Sequence, residues 1–268
     1  MTSKTEQFNA NVVLENSAPS ACLNYVWIGL KFSPSSDESA PPIPPETVEN
    51  MINTAHSNPS VHVRIWIDSK RLSGLQVEHL REAVKNKAAQ NIEICDLRSI
   101  EAYDYHNGNL FNLEDTSPDW RDDKDSLIWR QVDCARILVC LENGFDQQYY
   151  SDTDIVGLDI RSNTIQNSIT DHGVVFCGLK ITNFVGFENG FFGFSKMGEP
   201  FFRTIFLKSI AAAVHEQKNG YHAYIGEIYT KYTSRGICAE SIIWTPNFDG
   251  TFAHHNTQAQ NEPLAKPN

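Results

Sequence analysis

Hydrophobic and polar positions switch repeatedly between a two-residue and a three-to-four-residue period, and each switch predicts an element. Cys22–Leu30 (CLNYVWIGL) is short, apolar and rich in β-formers, which predicts a buried first strand. Lys31–Pro45 clusters Ser and Pro and predicts a loop, with a helix over Glu46–Ser57 entered after Pro45. His62–Asp68 predicts the second strand and Asn91–Asp96 a third. Between them Leu75, Val77, Leu80 and Val84 fall near one face of a helix over Leu75–Ala89. Strand, helix, strand, helix, strand is the pattern of a parallel sheet with crossover helices. Tyr103–Asp125 is polar, aromatic and acidic, and predicts an insertion or lid-like loop.

Ser126–Asn143 predicts a helix with a broad apolar face (Leu127, Ile128, Val132, Ala135, Ile137, Leu138 and Leu141), with Gly144 as its C-cap. Gln148–Ile155 predicts a strand ending in acids. Gly173–Gly178 and Phe191–Ser195 predict further strands, and Pro200–Gln217 a helix. The tail after Trp244 is rich in Pro, Asn, Gly, His and Gln and predicts mostly irregular structure. Residues 1–19 are polar and predict a flexible N-terminal arm, which leaves residues 20–268 as one folded unit.

With 268 residues the chain can bury a core that needs no staples. Its formal net charge of −11 argues against a nucleic-acid or anionic-membrane partner, because both require a basic surface. A phosphorylated small molecule stays open, since a bound divalent cation can screen phosphate in an acidic protein. The six cysteines are far apart and form no CxxC pair, which predicts free thiols in a reducing compartment rather than a zinc site. The N-terminus lacks the apolar core of a signal peptide. No apolar run approaches the roughly 20 residues of a transmembrane segment. The expected location is the cytoplasm, or a host cell reached by a dedicated secretion system. No Gly-x-Ser-x-Gly and no Gly-rich phosphate loop occurs.

The chemistry concentrates in Asp152-Thr153-Asp154. If the run is extended, both carboxylates point to one face. Converging carboxylates repel unless a cation joins them, which argues for Mg2+ or Mn2+ with oxygen ligands. Two solvated acids at a strand-to-loop junction satisfy the same tripeptide. The preceding helix carries Arg130, Asp133 and Arg136 along one edge, at helical spacing. That edge reads either as a salt-bridge ladder in solvent or as a sugar-binding face turned to the carboxylates.

Asp133-Cys-Ala-Arg136, Leu138, Asn143-Gly144 and Tyr150-Ser-Asp152-Thr-Asp154, taken in that order, resemble the Asp-x-Asp glycosyltransferases of the GT-A fold. The resemblance is to the sugar-binding-region group that includes large clostridial glucosylating toxins and related bacterial effectors. Asn143 stands where the first of two glycines is usual, and Phe145–Tyr149 is a longer spacer. Val26-Trp27-Ile28-Gly29 resembles the first strand of that group, and Glu188–Ser195 a later one.

The resemblance implies an α/β fold: a GT-A-like, Rossmann-type mixed and mainly parallel sheet flanked by helices, with loop and helical insertions, in a single domain over 20–268. It implies a retaining hexosyltransferase that takes UDP-glucose or UDP-N-acetylglucosamine, uses Mn2+ or Mg2+ and serves an acceptor that is expected to be a protein. Asp133, Arg136, Asp152 and Asp154 would carry the reaction. Trp27 would stack on the base, and Ile28, Tyr150, Asn189 and Trp244 would line the donor. Asp68 would close on the nucleoside. A last metal or phosphate ligand would come from the C-terminal loop, where Glu240, His254, His255 and Asn256 are candidates and His255 is carried forward. Two rivals use the same residues: a degenerate transferase fold that only binds, and a metal-dependent phosphoesterase.

Overall fold

The structure, a computed structural model, describes residues 20–29, 41–86, 90–105, 110–114, 126–142, 144–181, 184–217, 242–245 and 254–255. The predicted N-terminal arm and parts of the two predicted loops, 31–40 and 115–125, lie outside them.

The first half builds the parallel part of a sheet. The strands β1 (Ala21–Trp27), β2 (His62–Ile67) and β3 (Ile92–Asp96) are parallel neighbours, connected by α1 (Pro45–Ser57) and α2 (Gly74–Asn86). Pro45 opens α1, where its missing N–H is no loss. After β3 come the short α3 (Glu101–Tyr105) and then α4 (Leu127–Leu141). The chain returns as β4 (Gln147–Ser151), which pairs parallel with the other side of β1. The strands β6 (Val174–Ile181) and β7 (Phe184–Ser195) form an antiparallel hairpin whose β7 pairs antiparallel with β4. A last strand, β8 (Ile242–Thr245), runs parallel to β6. The order is β3-β2-β1-β4-β7-β6-β8, and β5 (Ile155–Val156) makes a separate ribbon with β9 (His254–His255). The expected mixed, mainly parallel α/β sheet is therefore present.

Alternation along the strands splits the core between the two faces. Val26, Tyr150, Phe192 and Phe194 pack with α4 and α6 (Glu199–Ala211). Their neighbours Tyr25, Tyr149 and Phe191 pack with α1, α2 and α5 (Asn163–His172).

Four expectations change. Strand β4 stops at Ser151, and Asp152–Asp154 is a turn in which Ile155 N–H donates to the Asp152 carbonyl at 3.3 Å. The extended geometry expected for the two aspartates is therefore absent. Helix α4 ends on Glu142 (φ −91°, ψ 6°), not on Gly144, because an ordinary backbone suffices for that exit. Helix α5 has few apolar residues and was not expected; it is closed by Gly173 at φ 75°, a left-handed cap that favours glycine. Strand β8 was not expected; of the tail after Trp244, expected to be mostly irregular, the described residues are Thr245, which ends β8, and His254–His255, which form β9.

Cys22, Cys134 and Cys140 are free and buried, and Cys95 is free and half-buried. Burial pushes the Cys22 and Cys95 thiols up to about 12, and the Cys134 and Cys140 thiols are raised by burial as well. All four are kept as inert thiols.

Candidate active site

The chain leaves β1 toward β2 on one side and returns as β4 on the other, so the strand order reverses between β1 and β4. In open α/β sheets, ligands bind outside the carboxyl ends of the strands at such a reversal. The last pair there is Asn24 with Tyr150, and β1 continues to Trp27. The Asp152–Asp154 turn and the Trp27–Ile28 end thus share one edge of the sheet.

Helix α4 turns its polar edge toward that turn. Asp133 and Arg136 are 3% and 5% exposed, which removes the solvent-ladder reading. Arg136 Nη1 lies 3.2 Å from Asp133 Oδ1 and Arg136 Nη2 3.2 Å from Asp152 Oδ1. The guanidinium also sits 5.1 Å above the Tyr150 ring. Arg130 belongs elsewhere: its Nη1 donates to the Ala213 carbonyl at 2.7 Å.

Tyr150 is buried behind the turn, its ring stacked on Phe192 at 5.3 Å. Its hydroxyl donates to Asp152 Oδ1 at 2.6 Å, so Tyr150 orients the aspartate. Burial raises the Asp152 pKa, Arg136 pulls it down and Asp154 pushes it up again. On the other side, Asp152 N–H donates to the Gly190 carbonyl at 2.6 Å. A Cβ at Gly190 would meet Asp152 Oδ2 at 3.1 Å, so a larger residue there would press on that carboxylate and move it by a few tenths of an ångström. Helix α1 contributes Asn50, whose Nδ2 donates to the carbonyls of Thr153 at 2.7 Å and Ile155 at 3.0 Å. Neither Asn50 nor Gly190 was expected from the sequence.

The other expected residues distribute as follows. Trp27 is half-buried and packs toward the α1–α2 side, whereas Ile28 is in the core toward α4. Gly29 ends the run because a Cβ there would meet the Arg71 carbonyl oxygen at 2.9 Å. Asp68 is fully buried and engaged within the protein: Arg98 donates to it at 2.8 and 2.6 Å, and the Tyr103 hydroxyl at 3.1 Å. That carboxylate ties the 97–114 segment to the end of β2 and does not face a nucleoside. Asn189 precedes Gly190 on β7. The His255 backbone pairs with Ile155, next to Asp154. Trp244 is on β8, three strands from β4 in the sheet order, which puts its backbone roughly 14 Å from that strand. Glu240 and Asn256 lie outside the described residues.

No family model and no curated protein matches the chain. Solved structures do. A transferase shares 15% identity over 90% of this chain and 94% of its own, with a TM-score of 0.55. A variant of a transferase with two cysteines replaced by serine shares 15% over 88% and 93%, with a TM-score of 0.53. The bacterial N-acetylglucosamine transferase NleB shares 13% over 85% and 93%, with a TM-score of 0.49. The chain shares the fold of the first two transferases.

Within that fold, Asp152 and Asp154 suit a divalent cation. Asp152 Oδ1 is occupied by Tyr150 and Arg136, and Oδ2 is left on the Gly190 side. Among the described residues no third His, Cys, Asp or Glu joins them. Two carboxylates suffice for Mg2+ or Mn2+ when phosphate oxygens and waters complete the shell. Among the described residues no helix is long and apolar enough to cross a membrane.

Proposed function

We propose that the chain is a metal-dependent glycosyltransferase using a nucleotide-sugar donor, with UDP-glucose and UDP-N-acetylglucosamine as the first candidates. The observation that carries this reading is the Arg136–Asp152 contact. It joins the Asp-x-x-Arg of α4 to the Asp-x-Asp turn, at the strand reversal of a fold shared with transferases.

A divalent cation on Asp152 and Asp154 supplies a Lewis acid for the departing diphosphate. Asp133 accepts hydrogen bonds from sugar or ribose hydroxyls. Arg136, held between Asp133 and Asp152, presents its planar fork to sugar or phosphate in a fixed orientation. Trp27 offers an aromatic face for the uracil, with Ile28 beneath the pocket. Asn189 contacts the sugar, and Trp244 and His255 close the site from the C-terminal segment, His255 as third metal ligand. An oxocarbenium-like transition state beside a leaving phosphate needs chiefly positioning and charge stabilisation, so no side-chain base is required. Retention follows from the Asp-x-x-Arg resemblance. The acceptor in this reading is a protein and the reaction takes place in the cytoplasm or in a host cell, a reading supported by the resemblance to effectors. Residues 20–268 form the single catalytic domain behind an N-terminal arm.

The test is release of UDP from UDP-sugars with Mn2+ present. Asp154→Ala and a chelator should each abolish it. Undiminished release in both would end this reading.

A further inference from the structure

We infer that Asn50 is a positioning residue that holds the Asp152–Asp154 turn in its ligand-binding shape before any ligand arrives; this rests on the function proposed above. The turn leaves the sheet at Ser151, so Thr153 and Ile155 must find partners for their carbonyls outside the main sheet. Both find the same one. The Asn50 amide gives one proton to Thr153 O at 2.7 Å and the other to Ile155 O at 3.0 Å. These carbonyls bracket Asp154. The amide therefore fixes the Thr153–Asp154 and Ile155–Val156 peptide planes, the Ile155 N–H on the Asp152 carbonyl holds the plane between them, and together they set the direction of the Asp154 carboxylate.

Asp152 is fixed independently, by its N–H on Gly190 O, by Tyr150 and by Arg136. Asn50 acts on the backbone around Asp154, alongside the Ile155 N–H bond to the Asp152 carbonyl and the pairing of Ile155 with His255. The cost of converging two carboxylates is then met by the fold rather than by the ligand, which is how preorganised sites gain affinity.

The same helix carries an internal control. Asn58 at the end of α1 donates from Nδ2 to Leu158 O at 2.7 Å and accepts from Ile160 N–H at 2.8 Å. Eight residues of helix separate the two asparagines, about 12 Å. Both pin the segment after β4 to α1, but only Asn50 touches the turn.

The experiment compares Asn50→Ala, Asn50→Asp and Asn58→Ala, with Asp154→Ala as reference. Mn2+-dependent UDP binding is measured by isothermal titration, and backbone amide exchange in metal-free protein. Both Asn50 variants should bind UDP with Mn2+ about tenfold or more weakly, the usual effect of losing a partner behind a metal ligand. Exchange should accelerate over 153–156. Asn58→Ala should lower the melting temperature and accelerate exchange at 158–160, with UDP affinity unchanged. Wild-type affinity in both Asn50 variants overturns the inference while Asp154→Ala still loses binding, and so does an equal affinity loss in Asn58→Ala. Wild-type binding by Asp154→Ala overturns the functional reading, and this inference with it.

Discussion

Arg136 lies 3.2 Å from Asp152, sixteen positions further along the chain, and 3.2 Å from Asp133, one turn earlier on its own helix. One buried cation thus joins the helix behind the site to the turn in front of it. Asp133 is buried and Asp152 is a quarter exposed, and holding the two together without a cation is expensive, so the pair depends on Arg136.

Removing that cation should cost both fold and function. Arg136→Ala leaves Asp133 and Asp152 unneutralised, which predicts a loss of about 3 kcal/mol in urea unfolding together with loss of UDP-sugar hydrolysis. Arg136→Lys keeps the charge but not the two-pronged geometry, so it should retain most of the stability and still lose at least tenfold in hydrolysis, by order of magnitude. Equal activity of the lysine variant and the wild type would contradict this role.

Tyr150→Phe tests the orientation of Asp152 with little change in packing, because the ring remains on Phe192. The hydroxyl bond to Oδ1 disappears. A stability loss of about 1 kcal/mol is expected, with Mn2+ affinity reduced about tenfold. Titration calorimetry and thermal unfolding of the same samples separate the two effects.

Two glycines of β7 should behave differently. A Cβ at Gly190 would press on Asp152 Oδ2 at 3.1 Å, whereas one at Gly193 would collide with the Tyr149 ring and meet Val175 Cγ1 at 3.0 Å. Gly190→Ala should therefore weaken Mn2+-dependent UDP binding with modest loss of stability. Gly193→Ala should destabilise by about 1–3 kcal/mol, as overpacked cores do. Denaturant midpoints set against UDP affinity decide between these outcomes.

Away from the site, Asp146 accepts from Ser20 N–H and Oγ–H and from Lys196 Nζ, linking the starts of β1 and β4 to the end of β7. The hydrogen bonds from Lys196 and Ser20 lower the Asp146 pKa from 3.8 to about 2. A depressed carboxylate pKa gives stability that is present above the unfolded value and fades as pH falls through the folded one. Acid unfolding should thus show a loss between about pH 4 and pH 2 that Asp146→Asn lacks, and salt should shrink it because the group is exposed. Superimposable acid curves would exclude the linkage.

The order of elements was legible in the sequence because periodicity reports burial locally. CLNYVWIGL and HVRIWID are apolar enough to read as strands, and α4 shows its apolar face plainly. The polar helix α5 and the two-residue strands of the β5–β9 ribbon carry too little periodicity to read. At the site, the resemblance to Asp-x-Asp glycosyltransferases singled out Asp133, Arg136, Asp152 and Asp154. What the sequence could not determine is how they meet. The turn that interrupts β4 depends on Asn50, 103 and 105 residues away from the carbonyls it binds, and on Gly190 across a strand pair. The burial of Asp68 among Arg71, Arg98 and Tyr103 is likewise a meeting of distant segments. Hydrogen bonds of that reach leave no period or spacing in the chain, so only the packing of α1 and β7 against the turn decides them.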